Sequence, residues 1–234
     1  MQVAWKVASL NQYQIMVKSE NIPDFSDRCL ICNAKDCATY NGSYTRSVID
    51  PLNNIFFHYF EILQYLCHGK GSNKFTHHVT FTLLPYMLIP YHRLPLFFIL
   101  YAIKVKLENK ISYLDLVTKL NLDCREYYKA FDYSDIISVN ALFFCKTIID
   151  SAFNRFIGGD AFKSILTHSE NQKFFEHYDD DRLLYFINFV INFKCEYNNQ
   201  TFTGACDFAW LFYQLSGIEY NPPFLFGRAS QQRF

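Results

Sequence analysis

Residues 28–50 read RCLICNAKDCATYNGSYTRSVID, and this stretch decides the fold of the N-terminal part of the chain. It opens with the pair Cys29 and Cys32, and Cys37 follows five residues after Cys32. A Cys-x2-Cys pair lets one tight turn direct two thiolates at a single metal ion. The residues Asn-Ala-Lys-Asp after Cys32 predict a turn, whereas a redox Cys-x2-Cys motif opens a helix. A metal site is therefore expected, with simple burial of apolar cysteines as the alternative.

A second group of potential ligands follows further along the chain. Cys67 lies 35 residues after Cys32, with His68, His77 and His78 close to it in sequence. A closed tetrahedral zinc site needs two such groups, and Cys67 with one of the three histidines can supply the second. Residues 44–49 and 55–65, rich in aromatic and β-branched side chains, predict the strands of a small ribbon between the two groups. Zinc is the expected cofactor.

Composition sets limits on the class of protein. Of the 234 residues, 50% are hydrophobic and 19% are charged, which excludes a disordered chain. The formal net charge of zero excludes a wholly basic nucleic-acid coat. Residues 1–110 nevertheless carry 11 basic and 7 acidic side chains, a net of +4, and residues 111–234 carry the compensating −4. A local basic surface is therefore expected in the N-terminal half.

The chain is expected to be cytoplasmic and not to enter a membrane. Its first residues lack the apolar core of a secretory signal. Residues 83–103 are apolar, but Pro85, Pro90 and Pro95 interrupt them, and His92 and Arg93 lie near their middle. A spanning helix needs roughly 20 predominantly apolar residues without such interruptions. In a reducing compartment, clustered cysteines indicate metal binding rather than disulfides.

The periodicity of the apolar residues divides the chain into three predicted regions: a zinc-ribbon region at 1–82, a connector at 83–137 and a helical region at 138–234. Helical spacing is expected throughout residues 138–221, for example at Leu142, Cys145, Ile149, Ala152 and Phe156. The predicted fold class is α+β and mostly α, with a small N-terminal β-rich zinc ribbon followed by helices.

The connector contains a possible helix-turn-helix. Ser112 is a suitable cap for a helix over residues 113–120, residues 121–123 predict a turn, and a second helix is expected over residues 124–131. Leu114, Val117 and Leu120 would then face the second helix. In this motif the second helix enters the major groove, where Arg125 could read guanine and Lys129 could bind phosphate. The alternative is an ordinary helical hairpin.

Three strings of the sequence resemble a known family. These are RCLICNAKDCATYNGSYTRSVID, then YLCHGKGSNKFTHHVTFTLLPYMLIPYHR, and the terminal FLFGRASQQRF. They resemble a family of bacterial insertion-sequence proteins, described as transposase-like or as a domain of unknown function, that open with a zinc ribbon. The resemblance implies Cys29, Cys32, Cys67 and His78 as zinc ligands. Cys37 or His77 could take the place of His78.

Basic side chains interleaved with tyrosines suggest contacts with nucleic acid, because cations neutralise phosphates and aromatic rings stack on unpaired bases. These residues predict a zinc-stabilised DNA-binding protein, and the family resemblance implies one tied to a mobile element, which recognises transposon ends or acts as an accessory or regulator. A homo-oligomer or a transposition partner protein is a possible further partner. The candidate nucleic-acid contacts are Arg46, Lys70, Lys74, Arg93, Arg125 and Lys129.

Two other functions remain open. The first is a metal-dependent transposase or nuclease, which would hold its ions with the C-terminal acidic residues. The acidic candidates are Asp160, Asp179, Asp180, Asp181, Asp207 and Glu219. Catalysis is not expected, because this region is predicted to be helical and lacks the strands that should present the carboxylates. The second is a protein-interaction module in which zinc has a purely structural role.

Overall fold

The structure is a computed structural model that describes residues 2–53, 55–71, 78–89, 92–123, 137–157, 165 and 182–215. Its N-terminal part is a four-stranded sheet of β1 (Gln2–Trp5), β2 (Ala38–Asp50), β3 (Ile55–Cys67) and β4 (Val79–Pro85). The strands lie in the order β1-β4-β3-β2. Strand β1 is parallel to β4, and the other pairs are antiparallel.

One face of this sheet is covered by helix α1 (Leu10–Lys18) and by the segment that leads to Cys29. Alternate residues of each strand point to this face, so that Leu63 and Tyr65 of β3 meet Phe81 and Leu83 of β4 in one core. The ring of Tyr65 stacks on that of Phe81 at 5.5 Å, and its hydroxyl donates a hydrogen bond to the Pro23 carbonyl at 2.7 Å. Tyr65 and Phe81 therefore belong to the core beneath the sheet.

The hydroxyl of Tyr13 connects α1 to the sheet. The pairing between β3 and β4 ends at Gln64 opposite Thr82. Just beyond this pair, the Tyr13 hydroxyl accepts a hydrogen bond from the Leu63 amide at 3.1 Å and donates one to the Leu83 carbonyl at 2.7 Å. Burial raises the pKa of Tyr13 well above its usual value, so the side chain remains a neutral donor. A side chain thus satisfies two backbone groups where the strands diverge.

The second core is built from helices around α2 (Leu96–Asn109). Helix α2 is apolar nearly all round, because it packs against each of the other helices in this layer. Phe156, Phe189 and Phe208 meet in the centre, with ring centroids 5.1–5.8 Å apart. The surrounding helices are α3 (Tyr113–Asp123), α4 (Val139–Ile157), α5 (Arg182–Ile191) and α6 (Gly204–Leu215).

Helical periodicity was a sound guide to this layer. Leu142, Cys145, Ile149, Ala152 and Phe156 are all buried on α4, as their spacing predicts. The apolar run at residues 83–103 is divided between β4 and α2, with Pro85 ending the strand and Pro95 preceding the helix. Within the described ranges, no helix combines the length and apolar character needed to cross a membrane.

The predicted fold class is wrong in two respects. Helices hold 45% and strands 28% of the described residues, so the fold is α+β but is not clearly mostly α. Strands β2 and β3 each span 13 residues and belong to a sheet with its own aromatic core, which is not the small zinc ribbon that was expected. The ribbon prediction failed because the short-range pattern did not reveal β1 and β4, which widen the sheet.

The expectation that residues 138–221 are helical throughout is wrong. A β-hairpin, β5 (Lys194–Tyr197) and β6 (Gln200–Thr203), separates α5 from α6. Asn198 and Asn199 form its two-residue turn with φ values of 49° and 59°. Asparagine tolerates this left-handed conformation, which a tight hairpin turn requires at both positions. The Asn-Asn pair is therefore the sequence signal for the hairpin.

Of the predicted helix-turn-helix, the described residues contain the first helix and its cap, but not the turn expected after it. The Ser112 hydroxyl accepts a hydrogen bond from the Asp115 amide at 3.1 Å, as expected of a helix cap. Helix α3 then continues through the predicted turn to Asp123. Its buried side chains are Leu116 and Leu120, whereas Leu114, expected to face a second helix, is 66% exposed. The expected second helix, with Arg125 and Lys129, lies outside the described residues.

Replacing Tyr13 with Phe tests the connection between α1 and the sheet. Tyr13→Phe leaves the Leu63 amide and the Leu83 carbonyl without this partner in the core, so the free energy of unfolding should fall by about 1–3 kcal/mol. Tyr59→Phe is the matched control, because Tyr59 is 79% exposed. Urea denaturation of both variants measures the difference, and equal midpoints would contradict the assignment.

Candidate metal centre

Four buried cysteines converge at the end of the sheet. The sulfur atoms of Cys29, Cys32, Cys37 and Cys67 all lie within 4.8 Å of one another. Two of them come from the loop before β2, one immediately precedes β2, and Cys67 is the last residue of β3. Among the described residues, this is the one group of three or more cysteine, histidine or acidic side chains arranged to hold a metal ion.

The loop that carries Cys29 and Cys32 folds as a tight turn. The Cys29 carbonyl accepts a hydrogen bond from the Asn33 amide at 2.9 Å, and the Cys29 amide donates one to the Ala34 carbonyl at 3.0 Å. Asn33 and Asp36 adopt left-handed conformations with φ of 59° and 48°. Asn and Asp are the residues that best tolerate this conformation. The turn expected from Asn-Ala-Lys-Asp is therefore present.

Pairing between β2 and β3 brings the other two cysteines together. Ala38 is opposite Cys67 in the ladder, and the His68 amide donates a hydrogen bond to the Cys37 carbonyl at 3.0 Å. Cys37 therefore occupies the fourth position of the cluster, where the family resemblance implied His78. The exposed ring of His78 lies instead against the ring of His68, at 4.9 Å. His77, the other alternative, lies outside the described residues.

The distances between the sulfur atoms fit a tetrahedral metal ion. The Cys32–Cys37, Cys67–Cys32 and Cys37–Cys67 separations are 3.2, 3.6 and 3.7 Å. With metal–sulfur bonds of about 2.3 Å, as in zinc thiolate sites, the sulfurs of a regular tetrahedron lie about 3.8 Å apart. These three sulfurs therefore need only a small expansion to enclose an ion, and the Cys29 sulfur lies within 4.8 Å of each of them. Four protein ligands leave no open position for a substrate.

Backbone amides point at the sulfur atoms and favour their anionic form. Amide groups of Ile31, Gly69 and Lys70 each donate to a cysteine sulfur at 3.4 Å. Burial alone raises the pKa of the Cys32 thiol, but hydrogen bonds from the Ala34 and Gly71 amides and from neighbouring thiols outweigh it and lower that pKa to about 7. Such contacts around metal ligands orient the thiolates and stabilise their charge.

The pKa values of Cys29 and Cys67 shift in the direction opposite to that of Cys32. Burial raises the pKa of Cys67 and of Cys29, so without a metal they favour the neutral form. A bound cation reverses this preference, because it compensates the negative charge of all four thiolates at once. Metal binding should therefore release protons from the cluster.

Gly71 closes the cluster from the β3 side. A Cβ atom added at Gly71 would lie 2.4 Å from the Cys32 carbonyl oxygen and 2.7 Å from the Ala34 Cβ. Both distances are shorter than real contacts, so the two loops approach as closely as they do because residue 71 has no side chain. The glycine in the loop after Cys67 is thus a packing requirement of the centre.

The exposed surface beside the cysteines has mixed charge. The basic side chains there are Arg28, Lys35 and Lys70, and the Lys70 ammonium donates to the Asp36 carbonyl at 2.6 Å. Exposed Asp24, Asp27 and Asp36 lie in the same stretch of chain. Among the described residues, the three basic side chains of the expected basic surface are therefore accompanied by three carboxylates.

On the face of the sheet remote from its core, the basic side chains have fewer acidic neighbours. A pocket of about 650 Å³ opens there, and its described lining contains no aspartate or glutamate. Arg46 and Arg93, two of the predicted nucleic-acid contacts, both line it. The other lining residues are polar or aromatic and come from all four strands and the segment before α2: Gln2, Tyr44, Ser47, Gln64, Thr80, Thr82 and His92.

Arg46 is held partly buried at this pocket. One terminal nitrogen, Nη1, donates to the Ile89 carbonyl at 3.5 Å, whereas the buried Nη2 has no hydrogen-bond partner among the described residues. Burial lowers the pKa of Arg46 from its high normal value. A buried donor without an acceptor costs about 1–3 kcal/mol. Arg93 is fixed nearby, because its carbonyl accepts from the Ile49 amide at 3.0 Å.

Most of the remaining candidate residues lie outside the described part of the chain. Lys74, Arg125 and Lys129 lie outside the described residues, as do Asp160, Asp179, Asp180, Asp181 and Glu219. Asp207 is described: its Oδ2 accepts from the Thr203 amide at 2.9 Å, and its carboxylate pairs with Lys6 at 3.0 Å. These contacts give Asp207 a structural role at the start of α6. Cys145 and Cys195 are buried in the helical core, as expected for dispersed cysteines.

Sequence reasoning missed the pocket as a unit. Gln2, Gln64 and Thr82 lie in one row across the sheet, since β1 pairs Gln2 with Thr82 and β3 pairs Gln64 with Thr82. The alternation of polar Thr80 and Thr82 with apolar Phe81 and Leu83 was the available signal for a polar face. Its partners on β1 and β3 are remote in sequence, so the row could be found only from the strand order.

Comparison with known proteins adds no assignment, since no family model, curated protein or solved structure matches this chain.

Exchange of the fourth ligand distinguishes the two candidate sets. Cys37→Ser should abolish stoichiometric metal binding and destabilise the sheet, because one thiolate of a closed site is lost. His78→Ala should leave both unchanged, because that ring lies against His68. Elemental analysis and thermal unfolding of the purified variants give the readout, with Cys206→Ala as a cysteine control outside the cluster. Metal loss in His78→Ala with retention in Cys37→Ser would contradict the cluster.

Substitution of Gly71 tests the close approach of the two loops. Gly71→Ala should weaken metal binding at least about tenfold, because the added Cβ forces the Cys32 loop away from Cys67. Gly42→Ala is the matched control: Gly42 has φ of 91° with open space around its Cβ position, so it should cost stability through backbone strain alone. Competition with a metal indicator measures affinity, and equal affinities for the two variants would refute the packing argument.

Proposed function

We propose that this chain is a zinc-stabilised DNA-binding protein, in which a tetrathiolate centre fixes the β-sheet and the sheet presents Arg46 and Arg93 to nucleic acid. The observation that carries the DNA part is the convergence of these two arginines on one pocket whose described lining has no carboxylate. Sequence reasoning selected both residues without knowledge of the sheet. Cationic side chains brought together without acidic neighbours attract phosphate.

Zinc is the metal that best suits the cysteine cluster. Four thiolates form a soft, tetrahedral and closed ligand set, which is typical of structural zinc. The metal joins the loop before β2 to the end of β3, and both loops contribute amide groups to the sulfurs. Binding energy from such a site contributes directly to folding, since the unfolded chain does not hold the ligands together. A cytoplasmic location suits this chemistry, because thiols remain reduced there.

The biological role we propose is accessory or regulatory in a mobile element, for example recognition of transposon ends. Its support is the resemblance of residues 28–105 and the terminal string to transposase-like insertion-sequence proteins. We do not propose catalysis by the C-terminal acids. The one candidate in the described part of the chain, Asp207, is engaged with Lys6 and with the start of α6.

A second candidate function is binding of a protein partner or a second copy through the helical layer. Leu114 of α3 and Phe143 of α4 are 66% and 60% exposed. The rings of Tyr113 and Phe143 lie 5.8 Å apart, so the apolar surface continues from one helix to the other. This surface is separate from the arginine pocket, and it would carry the function of an interaction module with structural zinc.

Charge removal at the pocket tests the DNA proposal. Fluorescence anisotropy on labelled DNA should show affinity falling steeply with salt, with a slope of about −0.9 per duplex phosphate contacted. Arg46→Gln and Arg93→Gln should each weaken binding and reduce the magnitude of that slope by about one unit. Arg182→Gln at the start of α5 is the matched control, because it removes the same charge from the acidic half of the chain.

Two results would count against the DNA proposal. Absence of binding to any single or double strand at about 50 mM salt, a condition that favours phosphate contacts, would shift the assignment to the interaction module. Binding that responds equally to the Arg46, Arg93 and Arg182 changes would keep DNA as a partner but reject the pocket as its site.

A further inference from the structure

We infer that the pocket on the polar face of the sheet binds a single unpaired nucleotide, with its phosphate at Arg46 and Arg93 and its base against the floor formed by the strands. The inference rests on the proposed function in taking the nucleotide from a DNA strand. It goes further by naming the bound unit and by predicting a preference for unpaired over paired DNA.

The charge of the pocket specifies the phosphate. Arg46 and Arg93 contribute guanidinium groups, and no aspartate or glutamate is found in the described lining. The guanidinium of Arg46 is held on one side by the Ile89 carbonyl, and its buried Nη2 has no partner among the described residues. A guanidinium binds phosphate through two parallel N–H···O bonds, so two arginines at one pocket suit a phosphate group.

The size and the floor of the pocket specify more than a phosphate. Its volume of about 650 Å³ is in the range of sites that enclose small organic ligands. Gln2, Gln64 and Thr82 form a row of amide and hydroxyl groups across three strands. Amides and hydroxyls both donate and accept hydrogen bonds, as the edge of a base requires. The Tyr44 ring also lines the pocket and could stack on that base.

The recessed shape of the pocket favours an unpaired base over a base-paired one. A base within a duplex is stacked and paired, and its edge reaches the recessed floor of an open pocket only after it has been turned out of the helix at an energetic cost. A base in a single strand or in a terminal overhang enters without that cost. A blunt duplex would therefore contact the rim arginine Arg93 and leave the floor unused.

The experiment uses the full zinc-loaded chain and three labelled probes: an oligothymidine, a blunt hairpin duplex, and the same hairpin with a short unpaired tail. The oligothymidine and the tailed hairpin should bind about tenfold tighter than the blunt hairpin, because only they offer a base to the pocket. Gln64→Leu should abolish this preference, because it removes the amide from the pocket floor. Gln200→Leu, on the β5–β6 hairpin and outside the pocket lining, should preserve the preference and the affinity for the blunt hairpin.

A second set of probes separates the pocket from the strand. Thymidine monophosphate should displace the oligothymidine, inorganic phosphate should do so more weakly, and thymidine should not, in keeping with a site anchored by phosphate. With the Arg46→Gln variant, thymidine monophosphate should no longer displace the oligothymidine. Metal content and the melting temperature of each variant verify that it is folded.

The outcomes separate this inference from the proposed function. Equal affinity for all three DNA probes, with no effect of Gln64→Leu, overturns the unpaired-nucleotide inference and leaves DNA binding in place. Binding of the monophosphate by a chain that binds no DNA supports a nucleotide pocket and overturns the proposed function. If neither DNA nor the monophosphate binds, both are overturned.

Discussion

The pairing of β2 with β3 is the constraint on which the N-terminal half of the molecule depends. It places Ala38 opposite Cys67, and so it brings Cys37 beside the cysteine that ends β3. The turn after Cys29 then completes a cluster of four buried sulfurs. Four neighbouring thiols are unfavourable as anions without a cation, because their charges repel one another. A metal ion held by the cluster would remove this repulsion and join the ends of two long strands.

The same sheet connects the metal centre to the proposed binding surface. One face of the sheet is filled by Tyr65, Phe81 and the residues of α1, while the opposite face carries the polar row of the pocket. Tyr13 secures α1 at the point where β3 and β4 diverge, directly after the pair that contributes Gln64 and Thr82 to the pocket. The core, the metal and the pocket thus depend on a common strand register, and a register shift of one residue would exchange the two faces.

Local patterns predicted local features of this protein, and strand order determined the rest. The Cys29–Cys32 turn, the Ser112 cap and the buried face of α4 each follow from residues close in sequence. Cys37 was an open alternative to His78, because spacing alone does not indicate which side chain the β2–β3 pairing brings to Cys67. The four-stranded sheet was missed because β1 joins β4 across most of the N-terminal region. The hairpin after α5 was missed because the apolar spacing of Cys195 and Phe202 resembles that of a helix, although the Asn198-Asn199 pair favours a tight turn.

The central claim is a tetrathiolate zinc centre, and X-ray absorption at the zinc edge of the purified full chain tests it most directly. The account predicts a single shell of sulfur ligands at about 2.3 Å, with four sulfurs per zinc and no imidazole nitrogen. A shell of three sulfurs and one nitrogen at about 2.0 Å would contradict the Cys37 assignment and favour His78 as the ligand. A folded protein that holds no zinc after expression in zinc-supplemented medium would contradict the centre as a whole.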